Sequence, residues 1–201
     1  MKKVISALAL TVSALTVAPA SQAQEVYRAV SSGPGEVIPI ASPGYSIATF
    51  EIDGNILTAD IPFSDLVSPT VDAHLHCCTT ESLAGAAGVA IPLFGFPLGV
   101  TSGSYTQTFD LLDPAIYSTA FLAAFGGTAA GASAAMLDAL TGNQAYLNIH
   151  TAQYPGGEIR GFLVDTAVAA IPEPATWGML GAGLAGLAIL SRRRPALLRQ
   201  A

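Results

Sequence analysis

Both ends of the chain are uncharged apolar stretches fenced by basic residues, and they decide how much of it is left to form a folded core. Lys2 and Lys3 precede Val4 to Ala18, which carries no charge, and the small-residue string Pro19, Ala20, Ser21, Gln22, Ala23 follows. Basic, apolar, then small is the order of a secretory signal peptide. The apolar stretch falls short of the roughly 20 residues a membrane-spanning helix needs, so removal is expected rather than permanent anchoring. The expected cut lies after Ala23, with Ala20 as the alternative, and a retained buried helix is the competing reading.

At the other end, Ile171-Pro172-Glu173-Pro174 leads into the Gly- and Ala-rich run Ala175 to Leu190, and Arg192-Arg193-Arg194 follows. Pro172 and Pro174 exclude regular helix or central strand, so this segment reads as an extended spacer open to a protease. The run beyond is expected to be a membrane-spanning helix. At 1.5 Å per residue it is about 24 Å long, short for a ~30 Å hydrocarbon core, and the arginines can snorkel to the cytoplasmic interface. Pro172, Glu173, Pro174, the apolar run and Arg192, Arg193 and Arg194 together resemble the PEP-CTERM sorting signal of Gram-negative bacteria. That resemblance implies an exosortase-type membrane protease as partner, and a protein anchored transiently in the inner membrane before reaching the envelope or the exterior. Residues 171–201 are accordingly expected to be the sorting signal.

Between the ends, residues 24–170 form one expected domain, long enough to bury a sizeable core. Six of the chain's eight basic residues lie in the two ends, so the middle keeps Arg28 and Arg160 against 13 acids, a net charge of −11. Such a surface repels phosphate backbones and anionic lipid, which excludes nucleic acid as a partner.

Short runs with β character dominate this middle: 25–30, 46–52, 56–62, 71–77, 88–91, 103–110, 145–151 and 158–164. Asp53-Gly54-Asn55 joins two of them, flanked by the alternating Ile47/Thr49/Glu51 and Ile56/Thr58/Asp60, and reads as a tight hairpin. A helix is expected from Asp113, as N-cap, and Pro114 through Phe125, and a second near 129–140, ending at Gly142. Many short strands with Gly and Pro turns argue a mostly β fold, an antiparallel β-sandwich with one or two short helices.

Three strings then resemble the CHRD domain of chordin and of bacterial surface proteins: Phe50-Glu51-Ile52-Asp53-Gly54-Asn55, Ala73-His74-Leu75-His76, and Tyr146-Leu147-Asn148-Ile149-His150-Thr151 with the following Tyr154-Pro155-Gly156-Gly157-Glu158-Ile159-Arg160-Gly161. The likeness runs from about Ala41 to Val164. It implies a β-sandwich, and brings little chemistry with it.

The residues themselves carry one chemical suggestion. Alternate strand positions share a face, so His74, His76 and Cys78 project one way, and Tyr146, Asn148 and His150 share a face of the second strand. A His-x-His pair on a strand can hold copper or zinc, with Cys78 or His150 completing the site if the strands are neighbours. The competing reading has the histidines hydrogen-bonded to backbone or to a carboxylate, Asp72 or Glu158. Glu158 and Arg160 read as an ion pair or turn clamp. Cys77 and Cys78 should face opposite ways, giving free thiols, metal ligands or bonds to other molecules in preference to a bond with each other.

No Gly-x-Ser-x-Gly elbow, phosphate loop or dinucleotide fingerprint occurs, and no enzyme is expected. The reading is therefore an exported envelope or matrix protein with a structural or adhesive role, its partners including exopolysaccharide or other matrix components. The alternative is a metal-binding or redox protein built on His74, His76 and His150, with Cys78 as a further ligand.

Overall fold

The structure is a computed structural model describing residues 24–166, so the signal-peptide and membrane-helix expectations fall on residues outside those described. Among the described residues no helix is long and apolar enough to cross a membrane.

Eight strands form: β1 (Glu25–Ser32), β2 (Tyr45–Asp53), β3 (Ile56–Ser64), β4 (Thr70–His76), β5 (Val89–Pro92), β6 (Gly103–Asp110), β7 (Tyr146–Thr151) and β8 (Ile159–Asp165). Each coincides with an expected run. Period-two alternation explains why: in β2 and β3 the buried residues Ala48, Phe50 and Ile52 face Leu57, Ala59 and Ile61, while the intervening side chains point out. The β2–β3 turn pairs Asp53 with Ile56 across Gly54, whose φ of 60° suits a residue without Cβ.

The two-sheet sandwich is corrected. All eight strands hydrogen-bond in one antiparallel sheet, in the order β5-β4-β7-β8-β1-β2-β3-β6. The sheet curls until its edges approach. Phe96, just beyond edge strand β5, stacks on Phe63 of β3 at 5.0 Å and lies 5.4 Å from Tyr105 of the opposite edge strand, whose hydroxyl donates to the Phe94 carbonyl at 3.0 Å. Twist accumulated over many strands supplies this curl, and the enclosed face becomes the core. Phe50, Leu57, Ile61, Leu147, Ile149 and Leu163 are among its largest fully buried side chains, each contributing about 1.5–3 kcal/mol.

The expected helix over 113–125 is divided. Asp113 does cap a short turn at Pro114–Ile116, but α1 spans only Thr119–Ala124 and starts from Ser118. Ser118 is held extended because its amide donates to the Ala90 carbonyl at 2.8 Å and its hydroxyl to that of Val89 at 2.6 Å, covering the free edge of β5. The second helix, α2 (Ala129–Thr141), ends at Gly142 as expected.

Strand β7 sits between β4 and β8 and is buried on both faces. Leu147 and Ile149 enter the core; Tyr146, Asn148 and His150 point outward, under chain that folds over the sheet.

Candidate metal centre

The register of β4 against β7 builds the site. Asp72 lies opposite His150, His74 opposite Asn148 and His76 opposite Tyr146, so alternation puts all three histidines on the outer face of two adjacent strands. One ligand nitrogen from each of His74, His76 and His150 lies within 4.8 Å of the others. His76 and His150 are buried, whereas His74 keeps 16% of its side chain exposed.

Each ring has one nitrogen committed to an oxygen that can only accept. His76 Nδ1 donates to the Ala87 carbonyl and His150 Nδ1 to the Pro155 carbonyl, each at 3.0 Å, and His74 Nε2 meets Asp72 Oδ2 at 3.1 Å. Those contacts assign the protons. In the neutral rings lone pairs are left on His74 Nδ1, His76 Nε2 and His150 Nε2, the first and last of which face each other.

Two of them stand only 3.0 Å apart, His74 Nδ1 and His150 Nε2, and His76 Nε2 has no partner. Two facing lone pairs repel unless a cation lies between them. Either one shared proton, which makes His74 an imidazolium against the Asp72 carboxylate, or a metal ion supplies that cation. Burial pushes His76 down to about 4 and His150 down as well, despite the carbonyl each donates to. A metal ion serves all three nitrogens. Imidazoles that donate their far N–H to a carboxylate or carbonyl are the arrangement metal-ligating histidines adopt. Tetrahedral zinc bonds of about 2.0–2.1 Å imply neighbouring nitrogens roughly 3.3 Å apart, close to what the pair presents.

Cys78 does not join them. Strand β4 ends at His76, so alternation stops before the cysteines. Cys77 and Cys78 are bonded to each other across a cis peptide bond, and both sulfurs lie against the Ala135 carbonyl of α2. The expectation of unbonded cysteines, and of Cys78 as a ligand, is corrected accordingly.

The Glu158–Arg160 ion pair is also replaced. Glu158 is wholly buried and acts as a clamp, accepting from Ser42 Oγ at 2.6 Å, Val67 N at 2.8 Å and Thr151 Oγ1 at 2.7 Å. Arg160 turns elsewhere. Its guanidinium lies 3.7 Å from the centre of the Tyr146 ring and donates to the Gly85 carbonyl. His76 stacks parallel on the same tyrosine, 4.7 Å between ring centres.

Beside the histidines a cleft of about 500 Å³ opens between the sheet, the 36–40 segment and the 153–157 turn, lined by Glu36, Ile40, His76, Asn148, Tyr154 and Arg160 among others. Glu36 was not anticipated. Burial pushes its carboxyl up to about 7, against the opposing pull of Arg160. A lone acid after Gly33-Pro34-Gly35 carries no local signal of this, because only tertiary folding brings it over Asn148.

Two family models match the chain: the CHRD domain over residues 17–163 and the PEP-CTERM protein-sorting motif over residues 170–194. The second covers Pro172, Glu173, Pro174 and the arginine cluster. No curated protein and no solved structure matches.

Proposed function

Because the chain belongs to the CHRD-domain family and carries a PEP-CTERM sorting motif, we propose that it is an exosortase-sorted envelope protein whose CHRD domain holds one copper or zinc ion. Export and processing by exosortase, a membrane protein, follow from the motif. The sequence pattern supports cleavage of residues 1–23 and transient anchoring through residues 175–190, and the role proposed for the delivered domain in the envelope or matrix is structural or adhesive.

One observation carries the metal reading: a nitrogen from each of three histidines lies within 4.8 Å of the others, His74 Nδ1 and His150 Nε2 only 3.0 Å apart, on rings whose other nitrogen is fixed by an oxygen. Neutral imidazole suits both copper and zinc. His74, His76 and His150 would be the ligands, with Asp72 and the Ala87 and Pro155 carbonyls orienting the rings.

Thermal unfolding tests this. Metal at about a hundred times its dissociation constant adds roughly 2.7 kcal/mol, which for a chain this size raises the midpoint by about 5–10 °C. The rise should vanish in His76→Ala. Equal midpoints with and without copper or zinc would refute the metal reading.

A further inference from the structure

Six buried side-chain polar atoms among the described residues lack a hydrogen-bond partner, and four of them, on Glu36, His76, Asn148 and Arg160, belong to residues lining the one cleft. Buried polar groups are normally paired, so this concentration marks a place where something else supplies the partners. His76 Nε2 is accounted for by the metal. The other three remain.

Asn148 and Arg160 are neighbours across the β7–β8 ladder, 4% and 3% exposed. Glu36 joins them through Gly157, where an added Cβ would lie 2.4 Å from the Asn148 amide and 2.7 Å from Glu36 Oε1. Only glycine leaves that space. Arg160 Nε can only donate and Asn148 Oδ1 can only accept, while the Glu36 carboxyl, raised to about 7, accepts when ionised and donates when protonated, so a group able to do both suits the cleft. Hydroxyl groups do both. Ionised Glu36 offsets only part of the Arg160 charge, and the −11 domain repels acidic polymers. Exposed Val37 and Ile38, with half-buried Tyr154, give the mouth apolar surface suited to C–H faces.

We propose that this cleft binds a neutral saccharide unit, held by Glu36, Asn148 and Arg160. It lies within the size range of small-molecule sites. The proposal is independent of the metal: both can be occupied, and either can fail alone.

The test uses the exported protein purified in a detergent without a sugar headgroup, both chelator-treated and zinc-loaded. Glucose, galactose, mannose, N-acetylglucosamine and their disaccharides are titrated by calorimetry, with glycine and acetate as zwitterionic and anionic comparators. At least one saccharide should bind in both metal states. Affinity should fall about tenfold in Glu36→Ala and in Asn148→Ala, the loss expected when a buried hydrogen bond is removed. Absence of saccharide binding at millimolar concentration, binding unchanged in Glu36→Ala, or glycine or acetate binding with that same dependence would overturn it.

Discussion

His74 Nδ1 and His150 Nε2 face each other at 3.0 Å across β4 and β7, each on a ring whose far nitrogen already contacts an oxygen, Asp72 Oδ2 or the Pro155 carbonyl. The Asp72 contact fixes which His74 nitrogen is free, so Asp72→Asn should leave the ligands in place but loosen their orientation. Metal affinity should drop by about tenfold to a hundredfold with binding retained, measured by competition with a chromophoric chelator. Unchanged affinity would remove Asp72 from the account.

The pH dependence of the metal-free protein has two opposing parts. His76 titrates at about 4 when folded and His150 is lowered too, so from about pH 6.5 down to about pH 4 the unfolded chain binds more protons and stability falls with pH. Glu36 acts the other way: raised to about 7, it holds its proton in the folded state between about pH 4.5 and pH 7, so its contribution weakens as pH rises. Glu36→Gln removes only that second part. Urea unfolding across this range should show a steeper rise of stability with pH in the variant than in the parent; coincident slopes would mean that Glu36 is not buried as described.

Glu158→Ala should be severe. It leaves the buried Thr151 hydroxyl, the half-buried Ser42 hydroxyl and the Val67 amide without their acceptor inside the site of a wholly buried side chain, and an unpaired buried donor costs about 1–3 kcal/mol. A loss of about 3 kcal/mol or more is expected in urea unfolding, with Glu158→Gln milder because it keeps one acceptor oxygen. A loss below about 1 kcal/mol would show that the clamp is dispensable.

Much of the fold was legible because it is local. Short runs with β character marked all eight strands, and Asp53-Gly54-Asn55 with its alternating flanks marked the hairpin. What was not legible depends on distant pairing. Ser118 divides the expected helix because it bonds to β5, and nothing near Ser118 in sequence says so. Continuous hydrogen bonding from β5 to β6, rather than two sheets, depends on β8 meeting both β7 and β1, a choice alternation leaves open. For the site, the outward faces of His74, His76 and His150 could be read, but their convergence rests on the β4–β7 register. Cys78 falls away from the histidines because β4, and with it the alternation, ends at His76. Glu36 reaches the cleft only through the fold.

The tail separates into parts with separate consequences. Replacing Pro172-Glu173-Pro174 with alanines should block processing yet leave the protein membrane-bound, deleting Arg192 to Arg194 should weaken its orientation, and truncation after Ala170 should release a soluble domain. Intact-mass measurement of protein from a host with a working exosortase should show Trp177 and all that follows removed. A chain ending at Ala201 would contradict the sorting account.

The metal is tested most directly by elemental analysis of the protein purified without an affinity tag, beside a His74→Ala/His76→Ala variant. Near-stoichiometric copper or zinc in the parent, absent from the variant, is the predicted result. A correctly folded parent that carries no metal and takes up neither ion when supplied would contradict it.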